Sequence, residues 1–295
     1  MINSSLWKVV ENMELEFEIN EYLLAWYLLY SASLSKEIDK FRKNLWTKYK
    51  KEYNFCYKDK GEILKYGKDF IPDNDTLYNE IFKNEIYLSL KKEVVKHKMH
   101  LVKIFHNNSK TIKKCVKEVL KVNFKEPFLV YVVHPRMEVI EYNESGHTLI
   151  WGSDKDKYDV LTILILSIVK GEYGNLYPDS KEIVDAIIEL SVINEIGKKL
   201  DNLESYELGN PTLKIIKRQI YPFWLMYLGY DTKEEILDKM MEDKIAFDLD
   251  RYPIDKKMKR MDITEFLSFC VKNSKHILKL GNVLKIEQEE EIEII

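Results

Sequence analysis

The chain is poor in the residues from which many familiar sites are built. It holds 10 glycines and 7 prolines in 295 residues, and neither a Gly-x-Gly-x-x-Gly nor a Gly-Lys-Ser run. Nucleotide binding through a glycine-rich phosphate loop is therefore unsupported. It holds 3 cysteines, Cys56, Cys115 and Cys270, odd in number and far apart. With no Cys-x-x-Cys pair, neither a disulfide framework nor a structural zinc site is expected, and a reduced, cytoplasmic setting is the matching expectation. There is no Gly-x-Ser-x-Gly elbow, and no cysteine lies near a histidine in sequence. The apolar run Val160 to Val169 is too short to span a bilayer. The opening Met1-Ile-Asn-Ser-Ser-Leu-Trp-Lys8 lacks the basic-then-apolar layout of a signal peptide. Charge of one sign is lacking too: 46 basic against 49 acidic side chains leave a net charge of −3. Nothing in that balance asks for nucleic acid or a membrane as partner.

What is present is apolar residue in quantity. At 45% hydrophobic, the chain can bury one large core or two small ones. Residues 1–125 read as a helical, highly charged region. Glu21–Tyr30 is an apolar, aromatic helix, and Ser33 or Ser35 can cap the next, which continues through Phe41, Leu45, Trp46 and Tyr49. The basic residues around that stripe alternate with acidic neighbours, which favours a solvated face over a nucleic-acid groove. Asp75 or Thr76 starts a long helix near Leu77 to Phe105, broken at Asn107-Asn-Ser109. His97 and His100 share a face of it, but Lys96, Lys98 and Lys103 crowd them and oppose a cation. No metal or other cofactor is expected.

Residues 126–295 change character. Phe128–Val133, Met137–Tyr142 and His147–Trp151 read as strands, the last closed by Gly152. His134-Pro-Arg136 connects two of them, where a histidine and an arginine can catalyse or bind a carboxylate, if they converge on one pocket. Tyr158–Lys170 then reads as a buried central helix. A second helix runs from Ser180 to Leu200, with Val184, Ile188 and Val192 on a stripe that also carries Glu195. A carboxylate on a core-facing stripe needs a partner or a proton. Glu182, Asp185 and Glu189 share another face, read as solvated. Asn210-Pro211, Asp231–Glu235 and Asp262–Glu265 open three further helices, the first with Lys214, Lys217 and Arg218 on a basic face. The fold class expected is α+β and mostly helical. A small antiparallel or mixed sheet packs on a buried central helix pair, with helical N- and C-terminal parts.

This order of strands, buried helix and a helix bearing Asn194-Glu195 resembles the core of the zincin metallopeptidases whose third zinc ligand is a glutamate. In that family the buried helix carries His-Glu-x-x-His. Here the matching positions read Leu166-Ser167-Ile168-Val169-Lys170, so no ligand remains on it. The resemblance implies a catalytically inactive, zincin-like core in residues 126–295 that keeps a cleft for a peptide or protein partner. It implies strand addition at Thr148, Ile150 and Gly152, with Leu166, Lys170 and Glu195 where the metal site would be. It further implies that Lys170 replaces zinc as the partner of Glu195. Two alternatives remain: a helical interaction or regulatory protein unrelated to peptidases, or an enzyme of other chemistry using His134 and Arg136.

Overall fold

In the computed structural model, residues 13–32, 34–124, 126–143, 147–153, 160–201, 210–243, 245, 255 and 257–277 are described. The fold is α+β and mostly helical, with one small mixed sheet of four strands. The chain divides into two compact units. Unit 1 is residues 1–109 with 125–160, and unit 2 is residues 110–124 with 161–295. The expected division at residue 125 is thus corrected: the strands group with the N-terminal helices rather than with the central helix pair.

Unit 1 opens on β1 (Leu15–Glu18), followed by α1 (Glu21–Tyr30), α2 (Lys36–Lys48), α3 (Lys50–Cys56), α4 (Asp59–Tyr66) and α5 (Thr76–Phe82). β1 was not expected in a region read as helical, although Met13-Glu-Leu-Glu-Phe-Glu18 alternates strictly. α1 is buried nearly all round, and Asn20 caps it by accepting from the Leu23 amide at 3.0 Å. Its other end is closed by Arg42 of α2, which donates to the carbonyls of Leu28, Ser31 and Ala32. Ser35 caps α2, as one of the two expected alternatives. Of the aromatic stripe along α2, Phe41 and Leu45 are buried, whereas Trp46 is exposed under the Lys50 ammonium.

The long helix differs from expectation at both ends. A break at Lys83-Asn84 separates α5 from α6, which runs Glu85–Leu120 without interruption. Asn108 and Ser109 do not break it, because their side chains donate back to the Ile104 and His106 carbonyls. Residues 85–109 of α6 belong to unit 1 and the remainder to unit 2.

β2 (Phe128–Val132), β3 (Val139–Asn143) and β4 (Thr148–Gly152) complete the sheet in the order β1-β2-β4-β3. β2 runs parallel to both β1 and β4, and β3 is antiparallel to β4. All five residues of β4 are buried, as befits a strand with neighbours on both sides.

Unit 2 contains α7 (Val160–Tyr173), α8 (Lys181–Glu189), a π-helical stretch (Leu190–Gly197), α9 (Lys198–Asp201), α10 (Lys214–Leu228), α11 (Lys233–Glu242) and α12 (Ile263–Lys272). α8, the π stretch and α9 form one continuous rod, so the second central helix stands as expected. Asn210 with Pro211 opens the turn before α10, and capping boxes open α11 and α12. Gly229 ends α10 at φ 111°, a left-handed stop that glycine adopts without cost. Among the described residues no helix is long and apolar enough to cross a membrane. The sequence also suggests a turn at Asn143–Gly146, a loop over Asp248–Lys259 and an acidic tail at Glu287–Glu291; these, and the expected helix start at Tyr158, fall wholly or mostly outside the described residues.

Candidate functional site

β2 delivers the chain to His134, and the next three residues form a 3-10 turn, Pro135–Met137. Pro135 suits the first position of that turn because it has no amide hydrogen to satisfy. The His134 ring then folds back, and its Nδ1 accepts from the Arg136 amide at 3.2 Å. With Nδ1 accepting, the ring hydrogen lies on Nε2. Nε2 stands 3.1 Å from Oε2 of Glu93 on α6 and donates to it. The ring is 5% exposed, while the Glu93 side chain keeps 53% of its surface in water. The His134 hydrogen bond holds the Glu93 carboxyl below the usual glutamate range, with Coulomb support from Arg136 and Lys96.

Gly152 makes this turn possible. A Cβ there would come within 2.5 Å of Val133 Cγ2 and 2.9 Å of the His134 carbonyl oxygen. β4 therefore approaches the end of β2 closely only because position 152 has no side chain.

His134 and Arg136 line one cleft of about 490 Å³ in unit 1. The starts of α2 and α6 supply its other walls: Leu34, Ile38, Ile86 and Leu90 are apolar, and Glu37, Glu85 and Glu93 are acidic. Three carboxylates thus face one guanidinium. The convergence that a site on His134 and Arg136 requires is present. Glu93 was missed, because its contact with His134 spans 41 residues and α6 shows a charged face throughout. Among the described residues, no three His, Cys, Asp or Glu side chains gather closely enough to hold a metal ion.

The chain matches no protein-family model, no curated protein and no solved structure. Its chemistry is therefore argued from its own side chains.

The zincin-like positions fall elsewhere. Thr148, Ile150 and Gly152 lie in β4, which is paired on both edges, so no peptide can add to it. That corrects the expected edge strand. Leu166 and Lys170 lie on α7 in unit 2, where Leu166 is half-buried. α7 is buried on one side only, with Ile163, Leu166, Ser167 and Lys170 along its more open side. The Lys170 ammonium lies 3.9 Å from Asp185 Oδ1, not beside Glu195. Glu195 instead accepts from the Trp224 indole at 3.3 Å. Burial pushes the Glu195 carboxyl up, and the Trp224 hydrogen bond with Lys199 and Lys239 works against that rise. The expected Lys170–Glu195 pair is therefore overturned. The Glu195 carboxyl does lie in the interior, as its stripe implies, but its partner there is Trp224, while Lys170 stands on the more open side of α7.

A different pair occupies the interior of unit 2. Lys217, expected on an open basic face of α10, is 0% exposed and lies 2.5 Å from Glu189 Oε2 on α8. Glu189 also accepts from the Asn210 amide at 3.0 Å. Burial lowers the Lys217 pKa, and Glu189 opposes that shift. The face Glu182–Asp185–Glu189 is thus graded from exposed through half-buried to buried, rather than solvated throughout.

Proposed function

We propose that unit 1 is a binding module for a small organic cation, an amine or guanidine with a short apolar body, held in the cleft at His134. One observation carries the reading: Glu93, held by a hydrogen bond from His134, lines a cleft where carboxylates outnumber the single guanidinium three to one. The apolar side chains of Leu34, Ile38, Ile86 and Leu90 suit the ligand body. The commitment of both ring nitrogens favours binding over base catalysis. Nδ1 accepts an amide hydrogen and Nε2 donates to Glu93, so this hydrogen-bonded ring offers no free lone pair to a substrate.

Thermal-shift and calorimetric titration with alkyl amines, alkyl guanidines and matched alkyl carboxylates test this. Amines or guanidines should bind and carboxylates should not. Glu93→Gln should weaken the best cation about tenfold, or 1.4 kcal/mol. Preference for carboxylates, or no binding by any cation, refutes the proposal.

A further inference from the structure

The sheet has an open side at β1 among the described residues. Among the described residues β1 pairs with β2 alone. The Phe128 amide donates to the Glu14 carbonyl at 2.8 Å. In a parallel ladder alternate residues serve one neighbour, so Glu14, Glu16 and Glu18 turn their backbone groups toward β2. Leu15 and Phe17 turn theirs outward, which is the template that an extended chain completes.

Beside that edge lies a groove of about 570 Å³ whose lining includes Phe17, Lys98, Met99, Val102, Lys103 and His106. Among the described residues, β1 is the only strand that contributes to it, and the other lining residues come from α6. Phe17 is fixed there by an edge-to-face contact with Phe105, ring centroids 5.8 Å apart. Met99 is 67% exposed, a large apolar side chain left in water next to an open strand edge. The two faces of β1 differ in charge. The Phe17 side meets Met99, Val102 and two lysines, whereas Glu16 and Glu18 project to the opposite side, Glu18 toward Lys68.

We infer that β1 receives an extended peptide from a partner protein by strand addition. The occupant is defined by charge complementarity. Side chains toward the groove are alternately apolar and acidic, meeting Met99 and Val102 and then Lys98 and Lys103. Those on the other face are basic or small and polar, meeting Glu16. This surface is separate from the cleft at His134, so the two proposals stand or fall independently.

The probe is the synthetic peptide Thr-Leu-Lys-Glu-Thr-Leu-Lys-Glu-Thr, titrated into the full chain by fluorescence anisotropy. It should bind, and a scrambled peptide that breaks the alternation should bind at least tenfold more weakly. N-methylation of alternate peptide nitrogens separates strand addition from mere surface adhesion, because only one of the two alternate sets faces β1. Methylating one set should abolish binding and methylating the other should leave it within about threefold. Met99→Glu, and separately Lys98→Glu with Lys103→Glu, should each weaken binding at least tenfold while leaving cation binding at Glu93 unchanged. No binding at about 1 mM peptide, or equal effects of the two methylated sets, overturns the inference.

Discussion

Each unit holds a glutamate paired with a buried nitrogen base, and the two pairs differ in what surrounds the carboxylate. In unit 2, Lys217 and Glu189 are both buried, and the Glu189 oxygen that meets Lys217 also accepts from the Asn210 amide. In unit 1, His134 is equally buried but Glu93 stands half in water at a cleft. A pair closed on all sides can only hold its helices together. A buried base that fixes an accessible carboxylate leaves that carboxylate oriented, charged and able to meet something else. Burial of one partner with exposure of the other therefore marks the candidate site, and burial of both marks structure.

The strongest way to break this comparison is at Lys217. Removing one partner of a fully buried pair strands the other, so Lys217→Met should cost about 3–5 kcal/mol. Lys217→Met combined with Glu189→Leu should recover most of that loss, less a contribution from the Asn210 amide, which the double variant leaves without its acceptor. Urea unfolding of the three proteins decides the matter. If the single variant loses less than about 1 kcal/mol, the pair is not the structural device described.

His134 should be next in size. His134→Ala leaves the Arg136 amide unpaired and a cavity at the end of β2, at a cost of about 1–3 kcal/mol. His134→Asn can keep an acceptor near the Nδ1 position, so it should recover part of the stability without restoring the bond to Glu93. Cation binding should fall in both variants. A His134→Asn protein that binds cations as the parent does would detach Glu93 from the ring that is said to orient it.

Much of the fold follows from local pattern, and the reasons for the misses are equally local. The capping boxes at Thr232 and Asp262, the Asn210-Pro211 start and the glycine stop at 229 are short-range chemistry and are legible residue by residue. Three strands and both central helices follow from periodicity. β1 was overlooked despite its alternation, because it is four residues long and surrounded by helix. The position of β4 inside the sheet depends on crossovers that no single strand encodes. Within the site, His134 and Arg136 are conspicuous as polar residues at a strand end, but Glu93 is one of many charges on a 36-residue helix. The Glu195 carboxyl lies in the interior as its stripe implies, but its partner Trp224 is 29 residues away on α10, a contact that no local stripe encodes.

The Glu93 carboxylate sharpens the comparison through pH. Its folded pKa lies below the ordinary value of about 4.3, chiefly through His134. A depressed carboxyl contributes stability above its unfolded pKa and loses it as pH falls through the folded value. The side chain is half in water, so the contribution should not exceed about 1 kcal/mol. The Tm difference between the parent and Glu93→Gln should shrink as pH falls below about 4. A difference that widened below about pH 4 would contradict the direction of the shift.

Lys170 should have the smallest effect, and it tests the comparison from the other side. It is a lysine opposite a carboxylate on α8, as Lys217 is, and the two lysines are close enough for Lys170 to disfavour the charge on Lys217. Their surroundings differ. The Lys170 side chain is 40% exposed and its ammonium lies 3.9 Å from Asp185, against 0% and 2.5 Å for Lys217 and Glu189. Water can take over the charge of either Lys170 or Asp185 when the other is removed, so neither is stranded. Lys170→Met should therefore change stability by no more than about 0.5 kcal/mol, and relief of repulsion on Lys217 should offset part of any loss. The same substitution would cost several times more if Lys170 were buried against Glu195 as the zincin resemblance implies. A loss near about 3 kcal/mol in urea unfolding would contradict the solvated surroundings described for Lys170 and Asp185.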